Sequence, residues 1–211
     1  MQEEIKQLFR QGLTNSRDIT LFAVCLFTAC RILEACTLHT KDVYSSTGQV
    51  HSYIIFRKGN TKGKLDTRTI PVAEELRSLL KAYFPLAGKI YLFPGRFGNK
   101  PLDSDSAARI LRKACARVGI EGVSTHSFRR TALTQMSDAG IPLRVIQEIS
   151  GHRNLAQLQK YLEVKDEQVK GAIASLALLS PTLDSKDGKC AFPDFTPQSI
   201  PDEDLKDNYA F

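Results

Sequence analysis

Between Asp18 and Cys36 the chain carries a stretch that is hydrophobic on nearly every side, with Leu21 to Phe27 as its densest part. A helix of that composition has no face to give to water, so the pattern predicts a buried central helix with the other elements laid around it. Covering such a helix takes a full core, and 211 residues suffice for one core, or one domain with appendages. The apolar run is too short to span a bilayer and is soon followed by Arg31 and Glu34. Glu3 and Glu4 occupy the place where a secretion signal carries basic residues.

The rest of the chain reads as helices with one interruption. A short amphipathic helix, Glu3 to Gln11, precedes a loop at 12–16. Residues 41–72 change period: Val50, Tyr53, Ile54, Ile55 and Phe56 are strand formers, as are Thr69, Ile70 and Val72. A glycine-punctuated basic turn, Lys58 to Lys64, separates the two runs, and Asp42–Ser45 is a candidate third strand. Helices are then expected at about 74–83, 104–118, 126–139, 142–149, 154–162 and 166–179, with Asp103 or Ser104 capping the second and Asp166 the last. The expected fold class is mainly α with a small antiparallel sheet (α+β).

Charge divides the chain in two. The formal net charge is +6, but three lysines face seven carboxylates from Pro181 onward, which leaves 26 basic against 16 acidic residues before it. A basic body suggests a polyanionic partner, with nucleic acid ahead of a membrane because no basic amphipathic anchor is present. Residues 181–211 combine four prolines, clustered acids and few aliphatics, and read as a tail that cannot fold alone. The five cysteines form no CxxC pair, so they suggest neither a disulfide framework nor a zinc site, and they point to a reducing, cytoplasmic setting.

Chemistry enters with the segment Thr125-His126-Ser127-Phe128-Arg129-Arg130. On a helix, Phe128, Ala132, Leu133, Met136 and Ala139 form an apolar arc, and Arg129 falls inside it. A guanidinium aimed at a core needs an anionic partner. That partner is either a carboxylate of this chain or a phosphate, and His126, in the first turn on the same side, stands where a helix favours phosphate. Arg31 raises the same question inside the central helix, where Glu34 offers an internal pair. The last element is Ser150-Gly151-His152, followed nine residues later by Tyr161 beside the Leu155, Leu158 and Leu162 stripe. A lone histidine after glycine is ordinarily a turn residue, and a lone tyrosine on such a helix is ordinarily core.

Taken in order, Arg31, the basic hairpin, His126-x-x-Arg129, Gly151-His152 and Tyr161 resemble the tyrosine recombinase (phage integrase) family. Thr28-Ala29-Cys30-Arg31-Ile32-Leu33-Glu34 looks like that family's first arginine box, and the hairpin ending Arg68-Thr69-Ile70-Pro71 is similar to its lysine hairpin. The resemblance covers about residues 1–179. Three departures stand out. Ala29-Cys30 replaces the usual Gly-Leu, expected to be a packing change; Ser150 replaces a usual Leu; and the hairpin offers three candidate lysines, Lys58, Lys62 and Lys64, of which Lys62 fits best. On this resemblance residues 1–180 would be the catalytic domain, the family's N-terminal DNA-clamping domain would be absent, and 181–211 would be disordered or dock on a neighbouring protomer.

The resemblance implies a DNA-breaking and rejoining enzyme that works on double-stranded DNA through a 3′-phosphotyrosine link at Tyr161. Arg31 and Arg129 would hold the non-bridging oxygens. His126 and His152 would add hydrogen bonds, with His126 assisting deprotonation of Tyr161, and Lys62 would protonate the leaving 5′-oxygen. Glu34 and Gly151 would support Arg31 and His152, while Lys58, Lys64, Arg130 and Arg153 are weaker candidates for DNA contacts. Neither metal, cofactor nor ATP would be needed, and the protein would be a monomer in solution and a tetramer on DNA. A type IB topoisomerase shares this chemistry without strand exchange, and a DNA-binding module that kept the fold but lost catalysis is the alternative from another class.

Overall fold

The computed structural model describes residues 2–57, 67–96, 98, 100–159 and 166–175. The chain divides into two units, Met1–Gln168 and Val169–Phe211; of the second, residues 169–175 are described and are helical. In the first unit α1 (Gln2–Gln7) runs into a π-helical turn, Leu8–Gly12, and is followed by α2 (Ser16–Thr28) and α3 (Ile32–Cys36). The strands β1 (Tyr53–Phe56) and β2 (Arg68–Pro71) come next. Six helices complete the order: α4 (Glu74–Tyr83), α5 (Ser104–Arg117), α6 (Thr125–Asp138), α7 (Leu143–Ser150), α8 (Leu155–Gln159) and α9 (Asp166–Ser175). Among these, none is long and apolar enough to cross a membrane.

α2 is the centre, as its composition requires. Leu21, Phe22, Ala23, Val24 and Cys25 are fully buried, and the helix packs against α4 and α6. Its Phe22 stacks on Phe128 of α6 at 5.1 Å between centroids, with Phe9 edge-on to the same ring at 6.0 Å. Asp103 caps α5 as expected, its carboxylate accepting from the N–H groups of Asp105 and Ser106.

Two expectations fail. The predicted helix 18–36 is broken: α2 ends at Thr28, Ala29 turns left-handed at φ 48°, and α3 begins only at Ile32. The apolar pattern continues across the break, because Ala29 and Cys30 stay buried, so periodicity alone gives no sign of it. The candidate strand 42–45 is not a strand. Thr40–Asp42 form a 3-10 turn, and only an isolated bridge joins Tyr44 to Val50. Side chains decide this: Asp42 is held by the Arg57 fork, and Tyr44 donates its hydroxyl to the Leu80 carbonyl at 2.7 Å.

Among the described residues the sheet therefore has two strands, antiparallel, with Ile54 opposite Ile70 and Phe56 opposite Arg68. Ile54, Phe56 and Ile70 face the core, and period-two alternation puts Arg68 on that same inner face. Lys58, Lys62 and Lys64 lie outside the described residues, as do Tyr161 and the tail 181–211.

Candidate functional site

The break after α2 creates the first half of the site. Arg31 is the N-cap of α3, with extended backbone at φ −77°, ψ 151°. Its backbone N–H donates to Glu34 Oε2 at 2.9 Å, and its Nη1 donates to Glu34 Oε1 at 3.2 Å. Glu34 is 1% exposed, and the same carboxylate takes a second fork from Arg68, with Nη2 on Oε2 at 2.7 Å and Nη1 on Oε1 at 3.3 Å. Arg68 itself lies over the Phe56 ring, 4.8 Å from its centroid. Two guanidiniums thus share one buried anion. The internal Arg31–Glu34 pair weighed from the sequence is real, but it is only half of the arrangement.

The second half is built on α6 and the turn after α7. Arg129 is 5% exposed, yet among the described residues its guanidinium has no carboxylate partner. Its Nη1 donates to the carbonyl of Ala29, and its Nη2 donates to the carbonyl of Ser150 at 2.8 Å. Backbone dipoles do the work for which a carboxylate was the simpler expectation. The left-handed turn at Ala29 is what aims that carbonyl. Ala29 is therefore more than a packing change from Gly: it holds a backbone conformation that costs an alanine about 1–2 kcal/mol.

α7 ends at Gly151, left-handed at φ 66°, and the turn delivers His152 to the guanidinium of Arg129, whose Nη2 is 3.2 Å from Nε2 and 3.3 Å from Nδ1. Gly151 is required twice over. Its φ favours glycine, and a Cβ there would stand 2.7 Å from Arg68 Nη1. Gln147 braces the turn by donating from Nε2 to the His152 carbonyl at 2.9 Å. Leu158 of α8 is buried in one cluster with Ala29, Ala132, Leu133 and Ile146, so α8 packs beside the turn that carries Arg31.

Electrostatics follows from this crowding. Burial and the charge of Arg31 lower the Arg129 pKa to about 10, which leaves it cationic at neutral pH. Burial, then Arg129, Arg31 and Arg68, push His152 down to about 4, so its imidazole is neutral at pH 7. Burial works to raise Glu34, but hydrogen bonding and charge from Arg68, then Arg31, outweigh it and hold the carboxyl below its ordinary value. Three guanidiniums face one carboxylate among the described residues. The surplus is positive, and Arg68 shares a cleft with Arg144, Glu148, Gly151, His152 and Arg153. A cluster of this charge favours an anion.

Of the residues singled out by sequence, Arg31, Glu34, Arg129, Gly151 and His152 come together. His126 stands in the first turn of α6, one turn before Arg129, and is exposed. Arg130 and Arg153 are exposed. Arg57 is tied to buried Asp42 by two 2.6 Å bonds. Sequence reasoning missed Arg68 and the role of Ser150. Arg68 had a signal, since it is two residues from Ile70 in a strand and so shares its inward face. Ser150 had none beyond its adjacency to Gly151.

Comparison with known proteins agrees with this geometry. A model of the phage integrase family matches residues 1–168. A tyrosine recombinase of Pseudothermotoga lettingae is 30% identical over 82% of this chain and 58% of its own length. Tyrosine recombinase XerA of Pyrococcus furiosus is 31% identical over 84% and 61%. The crystal structure of XerA recombinase superposes with a TM-score of 0.66 at 25% identity, covering 86% of this chain and 63% of that one. XerH bound to its difH substrate, at 22% identity and a TM-score of 0.60 over 82% and 52%, shares the fold. The chain spans about three fifths of the length of the two curated relatives, at 58% and 61%.

Proposed function

Because the chain belongs to the phage integrase family, we propose that it is the catalytic domain of a tyrosine-type site-specific recombinase acting on double-stranded DNA. The observation that carries the reading is the cluster of Arg31, Arg68 and Arg129, with neutral His152 beside them and, among the described residues, Glu34 as the one carboxylate they share. A scissile phosphate is an anion that such a cluster would favour. Relatives whose structures hold DNA, such as XerH with difH, lend support to a DNA partner.

In the proposed reaction Tyr161 Oη attacks phosphorus, the bond from phosphorus to the 5′-oxygen breaks, and a 3′-phosphotyrosine forms. His126 assists removal of the phenolic proton, and Lys62 gives a proton to the leaving 5′-oxygen; Lys58 and Lys64 are the alternatives for that task. Arg31 and Arg129 meet the charge that builds on the non-bridging oxygens, already oriented by Glu34 and by the Ala29 and Ser150 carbonyls. The phosphotyrosine keeps the bond energy, so attack by a free 5′-hydroxyl reseals the strand without metal or ATP. Residues 1–180 would carry this chemistry in the cytoplasm. A tetramer on DNA would pair the strands, with 181–211 docking between protomers and a monomer prevailing in solution.

Nicked suicide DNA tests the reading. The wild-type chain should trap a covalent DNA adduct and Tyr161→Phe should trap none. An undiminished adduct in that variant would remove Tyr161 from the mechanism. Supercoiled DNA carrying two sites separates strand exchange from mere relaxation by a topoisomerase.

A further inference from the structure

Ser150 is fully buried, and its Oγ is 2.8 Å from His152 Nδ1. A hydroxyl has a single proton, and it has two places to go here: to Nδ1, or to the Gln147 carbonyl oxygen 3.3 Å away, in which case Nδ1–H would donate to Oγ. The carbonyl contact is long for an O–H donor, whose bonds run about 2.5–3.0 Å. That carbonyl is also already engaged, because the Gly151 N–H donates to it at 2.8 Å. The hydroxyl proton therefore goes to the imidazole.

The position of Arg129 is compatible with this. Its Nη2 is nearly equidistant from both ring nitrogens, at 3.2 and 3.3 Å. No atom can sit that close to both in the ring plane without overlapping the carbon between them, so Nη2 lies over the ring face. It claims neither in-plane position.

We propose that Ser150 is a positioning residue: by donating to Nδ1 it fixes His152 in the tautomer that carries its proton on Nε2. In that tautomer the neutral ring carries its donor at Nε2, the polarity that a phosphate oxygen requires, with no need to ionise. The depressed pKa of His152 agrees, since a neutral ring is the form that can accept at one nitrogen and donate at the other. The inference rests on the proposed function for its benefit to catalysis, but the tautomer is a property of the free protein.

The test has two arms. In the first, 15N-histidine labelling of the whole chain, with His152 assigned from a His152→Gln variant, should show Nδ1 unprotonated and Nε2 protonated at pH 7. Ser150→Ala should mix the two tautomers and Ser150→Thr should keep the wild-type pattern. A proton on Nδ1 in the wild type overturns the proposal without touching the proposed reaction. In the second arm, Ser150→Ala should slow cleavage of suicide DNA about tenfold, the worth of one hydrogen bond, and Ser150→Thr should restore it. In the His152→Gln background Ser150→Ala should cost nothing further. An equal loss in both backgrounds would make Ser150 merely structural and overturn the proposal. If the wild type cleaves no DNA, the proposed function fails, while the first arm still decides the tautomer.

Discussion

Arg57 and Arg68, on either side of the hairpin segment, do the same thing with different consequences. Arg57 forks onto buried Asp42 with two 2.6 Å bonds, but its own side chain is 46% exposed. One cation meets one anion at the edge of water, and the account is balanced. Arg68 forks onto buried Glu34 with its side chain only 10% exposed, over Phe56 and against Gly151, and must share that carboxylate with Arg31. The first pair is a fastener. The second belongs to a cluster in which, among the described residues, guanidiniums outnumber carboxylates, and such a cluster favours an anion.

Glu34→Gln should break the comparison hardest. It leaves buried guanidiniums without their anion, a loss of about 3–5 kcal/mol in urea unfolding at pH 7, against a smaller loss for Asp42→Asn. Similar losses would mean that the two forks are equivalent. The sign with pH follows from the lowered carboxyl. Its stabilisation is present above the ordinary glutamate value near about 4.3 and is lost as pH falls through the lower folded value. The gap between wild type and Glu34→Gln should therefore narrow across that acid window.

Arg68→Gln should cost less, about 1–3 kcal/mol, because Arg31 stays on Glu34 when Arg68 is gone. A loss as large as that of Glu34→Gln would show that Arg31 contributes nothing to holding the carboxylate. Gly151→Ala sharpens the contrast from the other side. It forces a left-handed alanine and a Cβ against the Arg68 guanidinium, for about 1–2 kcal/mol, without touching Arg57. Ala29→Gly should be the mildest. Relief of about 1–2 kcal/mol of backbone strain is offset by added unfolded-state freedom of about 0.4–1 kcal/mol and a lost buried methyl of about 0.8 kcal/mol. Thermal unfolding should place it within about 1 kcal/mol of wild type, and a larger change would mean the turn itself had moved.

Much of this fold is legible from local pattern, because its elements follow the rules that pattern encodes. α2 is buried since it is apolar all round, and α5 starts where Asp103 can cap it. Arg31, Glu34, Arg129, Gly151 and His152 can be picked out from short motifs along the chain, and the fold brings these five together. What stays hidden is set by contacts across long sequence distances. The break at Ala29 is tied to a guanidinium 100 residues away, and nothing in 18–36 announces it. Arg129 was expected to pair with a carboxylate of the chain or with a phosphate, and within the described residues two carbonyls hold it, acceptors that a sequence does not spell out. The failed strand at 42–45 has a similar cause: Asp42 answers to Arg57, 15 residues on.

The proposed function requires the arginine cluster to meet the negative charge of a scissile phosphate. Arg31→Ala is the variant of choice, since Arg31 lies at the rim with its side chain 24% exposed. Its cleavage of suicide DNA should be compared between an ordinary scissile phosphodiester and a neutral methylphosphonate at the same position. The phosphodiester should be cut about 10²–10³-fold more slowly than by wild type, and the methylphosphonate should lose far less, because the charge that Arg31 answers has been removed. Equal losses on both substrates would contradict the account.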